Sequence, residues 1–568
     1  GGSTRSLLPF GHGDGGGGPT REMLESARRL RDLEGAPRVV IEPPDAFFAA
    51  ARAEYPNAPV WSGELYLELH RATFTSQART KAGNRRSEHL LREAELVSTA
   101  ATIRAVFDYP YEQLDRLWKV VLLHLFHDIL PGSSIAWVHR EAEATYAAVA
   151  AELESIIDAA TSALAGSGDT PWVFNTSPRP RAEVVEIPGS APVFAQIPAS
   201  SAGPLTAVTP PTPVTVGDRL LDNGLVRVAF DDDGLFTSVR DLVAEREVLA
   251  PGTRGNLLQL HTDLPNHWDA WDLDPHYRHQ FVDLTAAESI TVVERGPLVG
   301  AIRIERAFGR SRIAQTVRVR AGSRRVDIET EIDWHEAEKI LKAAFPFDVH
   351  ADRAAAEIQF GHVYRPTHTN TSWDAARFEV YCHRWAHVGE PGYGVAVVND
   401  ATYGHDVGRT TCGDGGTTTT LRLSVVRAPR SPDPEADQGA HRMTYGIVPG
   451  ATIADAVAEG YALNLPLRVR AGGDGIASSL VSVEGEAASI EAVKLADDRS
   501  GDVVVRVYES LGGRADTRLR TAFPVARVEV VDLLERAIDA DAPAVADDGS
   551  VRLSLRPFQV LTLRLRRA

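Results

Sequence analysis

"AIRIERAFGRSRIAQTVRVRAGSRRVDIETEI", residues 301–332, is the stretch that shows most clearly how this chain folds. Apolar and charged residues alternate along it, as in "IRIE" at 302–305 and "VRVR" at 317–320. Such alternation is typical of strands that turn one face to a core and the other to water. The same period recurs from about residue 169 to the C-terminus, which predicts β-sandwiches over nearly four hundred residues.

In the preceding segment, residues 61–168, apolar residues recur at helical spacing. It contains three long apolar or amphipathic stretches, "SEHLLREAELVSTAATIRAVF", "YEQLDRLWKVVLLHLFHDI" and "SSIAWVHREAEATYAAVAAELESIIDAATSAL", separated by "DYP" and "LPGSS". Proline and glycine at these separators end helices, and three helices of this length pack as a bundle.

The first sixty residues predict a third type of structure. A glycine run in "PFGHGDGGGGPT", residues 9–20, precedes a helix over 20–33, and "PRVVIEPPDAFFAAARAEY" predicts a short strand followed by a second helix. This order is that of the closing βαβα turns of a parallel α/β domain. The rest of such a domain is missing from the chain, so we expect the first residues to be a remnant.

Composition excludes several classes of protein. The 568 residues carry a formal net charge of −17, which would repel a phosphate backbone, so no nucleic acid is expected as a partner. No run of about eighteen apolar residues predicts a membrane span. The chain has two cysteines, Cys382 and Cys412, which fits a reducing compartment, and we expect a cytoplasmic location.

A His-Asp pair follows the second predicted helix of the bundle. That helix is apolar nearly all round from Leu117 to Phe126 and is predicted to be buried, with His124 structural. His127 lies beside Asp128, just before Pro131 and Gly132. A buried pair of this kind can bind a divalent metal through a ring nitrogen, and the alternative is a hydrogen-bonded core histidine.

Asp14 lies inside the glycine run, on a predicted turn that leads into a helix. Parallel α/β domains place their ligand sites on such turns, where a carboxylate could act as a general acid or base. No Gly-Lys-Ser/Thr follows, so a phosphate-binding loop is excluded. The alternative interpretation is that Asp14 is a simple turn residue.

A third cluster is "DLPNHWDAWDLDPHY", residues 263–277, where carboxylates alternate with indole rings. Trp268 and Trp271 could stack on sugar rings, while Asp269 and Asp272 could accept hydrogen bonds from sugar hydroxyls. The alternative is a sandwich loop whose tryptophans fill a core.

Taken together, these motifs and others resemble the glycoside hydrolase family 38 α-mannosidases, in particular the cytosolic and bacterial branch. The resemblance covers the whole chain in the family's order through eight stretches: "PFGHGDGGGGPTREM", "GELYLELHRATFTSQARTKAGNRRSEHLLREAE", "FHDILPGSSI", "WDAWDLD", "FGHVYRPTHTNTSWDAARFEV", "GYGVAVVND", "DPEADQG" and "RPFQVLTLRL". It implies a multidomain α+β protein with a remnant of an α/β barrel (1–60), a helical bundle (61–168), a β-sandwich region (169–480) and a terminal β-sandwich (481–568).

The resemblance also implies a chemistry: retaining hydrolysis of terminal α-linked mannose with a divalent metal. The metal is expected to be zinc, with cobalt or manganese as alternatives. By resemblance, His127 is a metal ligand and Asp14 the acid/base. No residue aligns with the family's nucleophile or its His-x-Asp ligand pair.

We therefore expect a C-terminal portion of an α-mannosidase that is catalytically silent alone. Its expected partners are an α-mannoside oligosaccharide and the missing N-terminal half of the catalytic domain; the sequence does not indicate an oligomeric state. The alternative from another class is a non-catalytic mannoside-binding protein.

Overall fold

The computed structural model describes residues 2–13, 16–411, 415–475 and 477–568, which form two units, 1–66 and 67–568. Helices and antiparallel sheets are both abundant, as the sequence predicts. Within the described residues no helix is long and apolar enough to cross a membrane.

The first unit contains helices α1 (Arg21–Arg29) and α2 (Pro44–Glu54). The side chain of Thr20 caps α1 by accepting a hydrogen bond from the backbone of Met23, as its position before the helix predicts. The strand predicted within 37–43 is wrong, because the described residues of this unit offer no second strand to pair with it. Both predicted helices are present, and the assignment of these residues to a remnant of an α/β barrel stays a prediction.

The second unit begins with the three predicted helices, α3 (Ala78–Ile103), α4 (Tyr111–His124) and α5 (Ala136–Ala165). Helices α3 and α5 pack through residues such as Leu91, Ala94, Leu153 and Ile157. A short 3₁₀ helix, Arg71–Phe74, precedes α3.

The prediction that α4 is buried up to Phe126 is wrong for its C-terminal end. Leu114, Leu117 and Val121 are buried on one face, whereas Leu122 and Phe126 are more than half exposed. The helix ends at His124 because the next residues form tight turns, so His127 lies in a loop and not on the helix. The rest of this unit leaves that end of the helix uncovered.

Two large antiparallel sheets follow and share one core. The nine-stranded sheet contains the stretch 301–332, in which Ile302 lies opposite Val317 and Val317 opposite Ile328, all three buried. Its strands, in spatial order, are Ser289–Arg295, Val299–Phe308, Ser311–Arg320, Val326–Trp334, Gly439–Pro449, Tyr393–Asn399, Trp385–Glu390, Arg353–Ile358 and Gly361–Pro366.

The six-stranded sheet packs against it and carries the tryptophan-rich segment between its first two strands. In spatial order these strands are Phe281–Leu284, Leu257–Thr262, Lys339–Phe347, Thr417–Ala428, Gly404–Thr411 and Val380–Tyr381. A 3₁₀ helix, Pro275–His279, lies in the same connection as the tryptophans.

Three smaller sheets complete the middle of the chain. The five-stranded sheet contains Thr215–Gly217, Leu220–Asp222, Val226–Phe230, Phe236–Asp241 and Arg246–Glu247. A four-stranded sheet contains Arg468–Gly472, Thr170–Asn175, Ser201–Pro204 and Ser478–Ser479, and a two-stranded one contains Arg181–Val185 and Val193–Ile197. Two helices interrupt this predicted β region, α6 (Ser372–Ala376) and α7 (Ile453–Asn464), and each begins with a capping box.

The last ninety residues form two further antiparallel sheets. One contains Val481–Val483, Ala515–Thr521 and Val551–Leu555; the other contains Ala488–Leu495, Val503–Glu509, Val560–Arg567 and Val525–Val531. Their apolar faces share a single core with α3, α4 and α5. The two ends of the second unit are therefore packed on each other.

Candidate functional site

Two loops carry the predicted site residues of the second unit. The His127 loop, residues 125–135, follows α4, and the tryptophan loop, residues 263–280, joins strands Leu257–Thr262 and Phe281–Leu284. Asp14, the predicted acid/base, lies outside the described residues.

His127 lies at the surface and not in a core. Its side chain is 76% exposed, and its Nε2 lies 3.4 Å from Oδ2 of Asp128. The other oxygen of Asp128, Oδ1, accepts a 2.7 Å hydrogen bond from the hydroxyl of Ser133. The expectation that the His127–Asp128 pair is buried is therefore wrong, and so is the interpretation of His127 as a hydrogen-bonded core histidine. Its role as a metal ligand stays a prediction.

The backbone of the His127 loop is held tightly against the start of α3. Gly132 has φ +83°, and a Cβ added there would lie 2.2 Å from the carbonyl oxygen of Ser76, so only glycine fits. The buried ammonium of Lys81 donates to the carbonyls of Ser76, Leu130 and Pro131. Burial lowers the pKa of Lys81 to about 7.

The tryptophan loop presents one indole to solvent and directs the other toward the His127 loop. Trp268 has φ +59° and is 63% exposed, and its ring centroid lies 6.2 Å from that of Trp271 at an interplanar angle of 79°. The indole Nε1 of Trp271 donates a 3.2 Å hydrogen bond to Oδ1 of Asp128. This bond joins two motifs that are about 140 residues apart in sequence.

The carboxylates of the tryptophan loop are engaged within the protein. Asp269 accepts hydrogen bonds from the backbone N–H groups of Arg430 and Ser431, at 2.7 and 3.0 Å. Asp272 is buried and accepts from the backbone of Leu273. Both side chains fix the loop, and their predicted contact with sugar hydroxyls stays a prediction.

Arg427 holds the tryptophan loop through buried contacts, and it is not among the site residues predicted from the sequence. Its buried guanidinium donates to the carbonyls of Asp269 and Asp272, at 2.6 and 3.0 Å. Its Nε lies 2.6 Å from the buried carboxylate of Asp263. The sequence does carry a signal for this role. Arg427 is the one charged residue in the mostly apolar stretch "LSVVRAP", at the end of a strand whose neighbouring positions are buried.

Residues 71–81 lie between the two loops. The hydroxyl of Ser76 donates to the carbonyl of Ala270 and accepts from Arg427, and the backbone N–H of Ala72 donates to the carbonyl of Trp271. The carboxylate of Asp437 in the "DPEADQG" motif caps this segment by accepting from the N–H groups of Gln77 and Ala78, each at 2.7 Å. One continuous scaffold thus positions both loops.

His127 and Asp128 are neighbouring side chains of two types that bind divalent metals. Among the residues that the structure describes, no group of three or more His, Cys, Asp or Glu side chains could hold a metal ion. The described residues therefore do not fit a complete metal centre by themselves, since a catalytic zinc takes three protein ligands. The exposed indole of Trp268 packs against Trp271, which donates to Asp128, and an indole near a carboxylate does suit a polyhydroxylated ligand.

Four domain families match the chain in order. They are described as the glycosyl hydrolases family 38 N-terminal domain (residues 1–64), the alpha mannosidase middle domain (68–164), the family 38 C-terminal domain (221–435) and the family 38 C-terminal beta sandwich domain (487–563). The matched segments include both loops of the candidate site.

Individual proteins similar to this chain are named as α-mannosidases, in agreement with these domain families. Alpha-mannosidase 2C1 of Homo sapiens is 38% identical over 593 residues, covering 99% of this chain and 56% of the human protein. Alpha-mannosidase of Saccharomyces cerevisiae is 32% identical, covering 98% and 54%. The crystal structure of an alpha-mannosidase from Enterococcus faecalis superposes with a TM-score of 0.76 at 16% identity, covering 96% of this chain and 74% of that one, and so shows the same fold.

Fold and matches together define the class of protein as one built from glycosyl hydrolase domains. The chain belongs to glycosyl hydrolase family 38. It spans a little over half the length of the human and yeast relatives.

Proposed function

We propose that this chain supplies the middle and C-terminal regions of an α-mannosidase, which removes terminal α-linked mannose with retention of configuration. The observation that carries the proposal is the hydrogen bond from Trp271 to Asp128, because it joins the loop of the exposed His127 imidazole to the loop of the exposed Trp268 indole. The names of the relatives supply the substrate class.

The proposal gives each site residue a role. His127 contributes one ligand to a divalent metal, zinc or alternatively cobalt or manganese, which would act as a Lewis acid at the sugar. Trp268 packs on a sugar ring, and Trp271 orients Asp128. Asp269 and Asp272 keep the tryptophan loop in place, and Asp14 acts as acid/base.

A retaining glycosidase needs two carboxyl groups about 5–5.5 Å apart. Asp14 is our candidate for one of them, and we have no candidate for the nucleophile in this chain. We therefore propose that the 568 residues alone do not turn over mannosides. In this proposal the active site is completed by the part of the relatives that this chain does not match, and the two cysteines favour a reducing, cytoplasmic setting.

The test is hydrolysis of 4-nitrophenyl α-mannoside with added zinc or cobalt. We expect no turnover by the chain alone, and turnover when the unmatched part of the human relative is supplied as a separate chain. His127→Ala should lower that turnover at least about 100-fold, because a metal ligand is lost.

His350→Ala is the matched control, since His350 is an exposed histidine outside both loops. If the chain alone turns over the mannoside and Asp14→Asn abolishes that turnover, this chain holds its own nucleophile. Mannoside binding without turnover, even with the second chain present, would support the non-catalytic alternative instead.

A further inference from the structure

A large cleft lies in the second unit between the helices and the sheets, apart from the two loops' exposed faces. Its walls come from α3, α4, the strands around Glu357 and Arg384, and the terminal sheets, and its volume is about 1240 Å³. Leu130 and Pro131 of the His127 loop line it, whereas His127, Trp268 and Trp271 do not. The proposed function does not use this cleft.

The size of the cleft indicates an extended ligand. Pockets for single small molecules enclose about 300–1,000 Å³. The cleft exceeds that range, and its lining extends from Thr73 and Phe74 before α3 to Lys494 and Glu535 in the terminal sandwich. A chain of several linked units would fill such a space better than one compact metabolite.

The charges of the lining indicate a neutral ligand. Basic and acidic side chains occur there in nearly equal number, and many of them pair with each other. The guanidinium of Arg384 forms three hydrogen bonds with Glu357, and Lys494 lies 2.5 Å from Asp497 and 2.7 Å from Glu535. Because these charges compensate one another, the cleft offers no excess positive field for a phosphate or carboxylate.

Aromatic rings line several walls of the cleft. Tyr109 and Tyr111, at the start of α4, have ring centroids 4.6 Å apart, and Trp118 lies one to two turns further along. In the turn between strands Arg353–Ile358 and Gly361–Pro366, Phe360 has φ +55° and is partly exposed, with its ring against that of Tyr508. Aromatic faces in a polar cleft suit the apolar faces of sugar rings.

Several buried polar groups of the cleft have unused hydrogen-bonding capacity. Nε2 of His89 and Nε of Arg92 are buried without a hydrogen-bond partner among the described residues, although the other guanidinium nitrogens of Arg92 donate to the carbonyls of Thr176 and Ile490. Burial raises the pKa of Glu95 to about 7, so its carboxyl can also donate near neutral pH. A lining that offers both donors and acceptors matches hydroxyl groups, which both donate and accept hydrogen bonds.

We propose that this cleft is a second glycan-binding site, which holds several units of a neutral oligosaccharide away from the site of hydrolysis. The choice of a mannose-based glycan rests on the proposed function. The cleft itself requires only a neutral, hydroxyl-rich chain.

The test is binding of a neutral α-linked mannotetraose to the 568-residue chain, followed by saturation-transfer NMR. Tyr111→Ala and Phe360→Ala each remove one ring from the lining of the cleft, and each should weaken binding about fivefold. Trp137→Ala, which removes an exposed tryptophan outside the cleft, should leave binding unchanged. Thermal unfolding of each variant shows that a loss of binding is not a loss of fold.

Three results would overturn the inference. The first is loss of all binding in Trp268→Ala together with full binding in both cleft variants, which would leave only the candidate site. The second is tighter binding of the same tetraose carrying a 6-phosphate, which would contradict a neutral ligand. The third is no binding to the folded chain. The assay needs no hydrolysis, so failure of the proposed function in the His127→Ala experiment stays distinguishable from failure here.

Discussion

Arg427 shows how much the tryptophan loop depends on one buried side chain. Its guanidinium bonds two carbonyls of that loop and the hydroxyl of Ser76, and it pairs with the buried carboxylate of Asp263. A buried charge that loses its partner is costly because water cannot replace the lost interaction. The contribution of Arg427 is therefore to hold the site together and not to contact the ligand.

We predict that Arg427→Met lowers the free energy of unfolding by about 3–5 kcal/mol, because the carboxylate of Asp263 is left buried and unpaired. Urea unfolding measures the change. Adding Asp263→Asn to the same chain should recover part of it, and Arg430→Met, at an exposed position nearby, should change it by less than about 0.5 kcal/mol. A small effect of Arg427→Met would mean that the loop is held by its other hydrogen bonds.

Lys81 gives a prediction about pH. Its pKa is about 7 in the folded protein and about 10.4 in an unfolded chain, so between these values the unfolded state binds a proton that the folded state does not. The folded state therefore gains stability relative to a Lys81→Met variant as the pH rises from about 7 to 10, by up to about 1.4 kcal/mol per pH unit.

Urea unfolding of wild type and Lys81→Met at several pH values tests this, with Lys119→Met as the exposed control. If the difference between wild type and Lys81→Met does not change with pH, Lys81 stays charged in the fold. The three carbonyls around Nζ would then compensate for its burial.

At the scale of elements, the His127 loop depends on how closely it approaches α3. Gly132→Ala should destabilise the protein by about 1–3 kcal/mol more than Gly392→Ala does, because the new Cβ collides with the carbonyl of Ser76. Gly392 is the matched control: its φ is +85° and a Cβ there meets nothing within 4 Å, so it reports the backbone strain alone. Equal losses in urea unfolding would show that the loop can move away from α3.

At the scale of the whole molecule, the terminal sandwich and the helices share one core. We predict that Leu563→Ala, in the last strand, lowers stability by about 2–5 kcal/mol and increases hydrogen exchange in α3 as well as in its own sheet. Thr411→Ala, at an exposed position at the end of a strand outside this core, should leave both unchanged. Unaltered exchange in α3 in the Leu563→Ala variant would mean that the terminal sheets unfold independently.

Local sequence predicted much of the second unit. Alternation in 301–332 and helical spacing in 87–164 predict strands and helices because each pattern buries one face of one kind of element. The helices α6 and α7 were missed, although their capping residues Thr371 and Thr452 carry a local signal. The strand predicted at 37–43 failed because a strand also needs a partner, which local sequence does not supply.

By itself, the sequence determined the element types of the second unit, the family, and the motifs that carry His127 and Trp268, since these depend on residue type and spacing. Tertiary structure alone decided that His127 is exposed, that Trp271 reaches Asp128, and that Arg427 holds the tryptophan loop. The physical reason is distance along the chain. The Trp271–Asp128 bond and the bonds of Arg427 to the tryptophan loop join segments more than a hundred residues apart, and only packing of the whole unit brings them within hydrogen-bonding range.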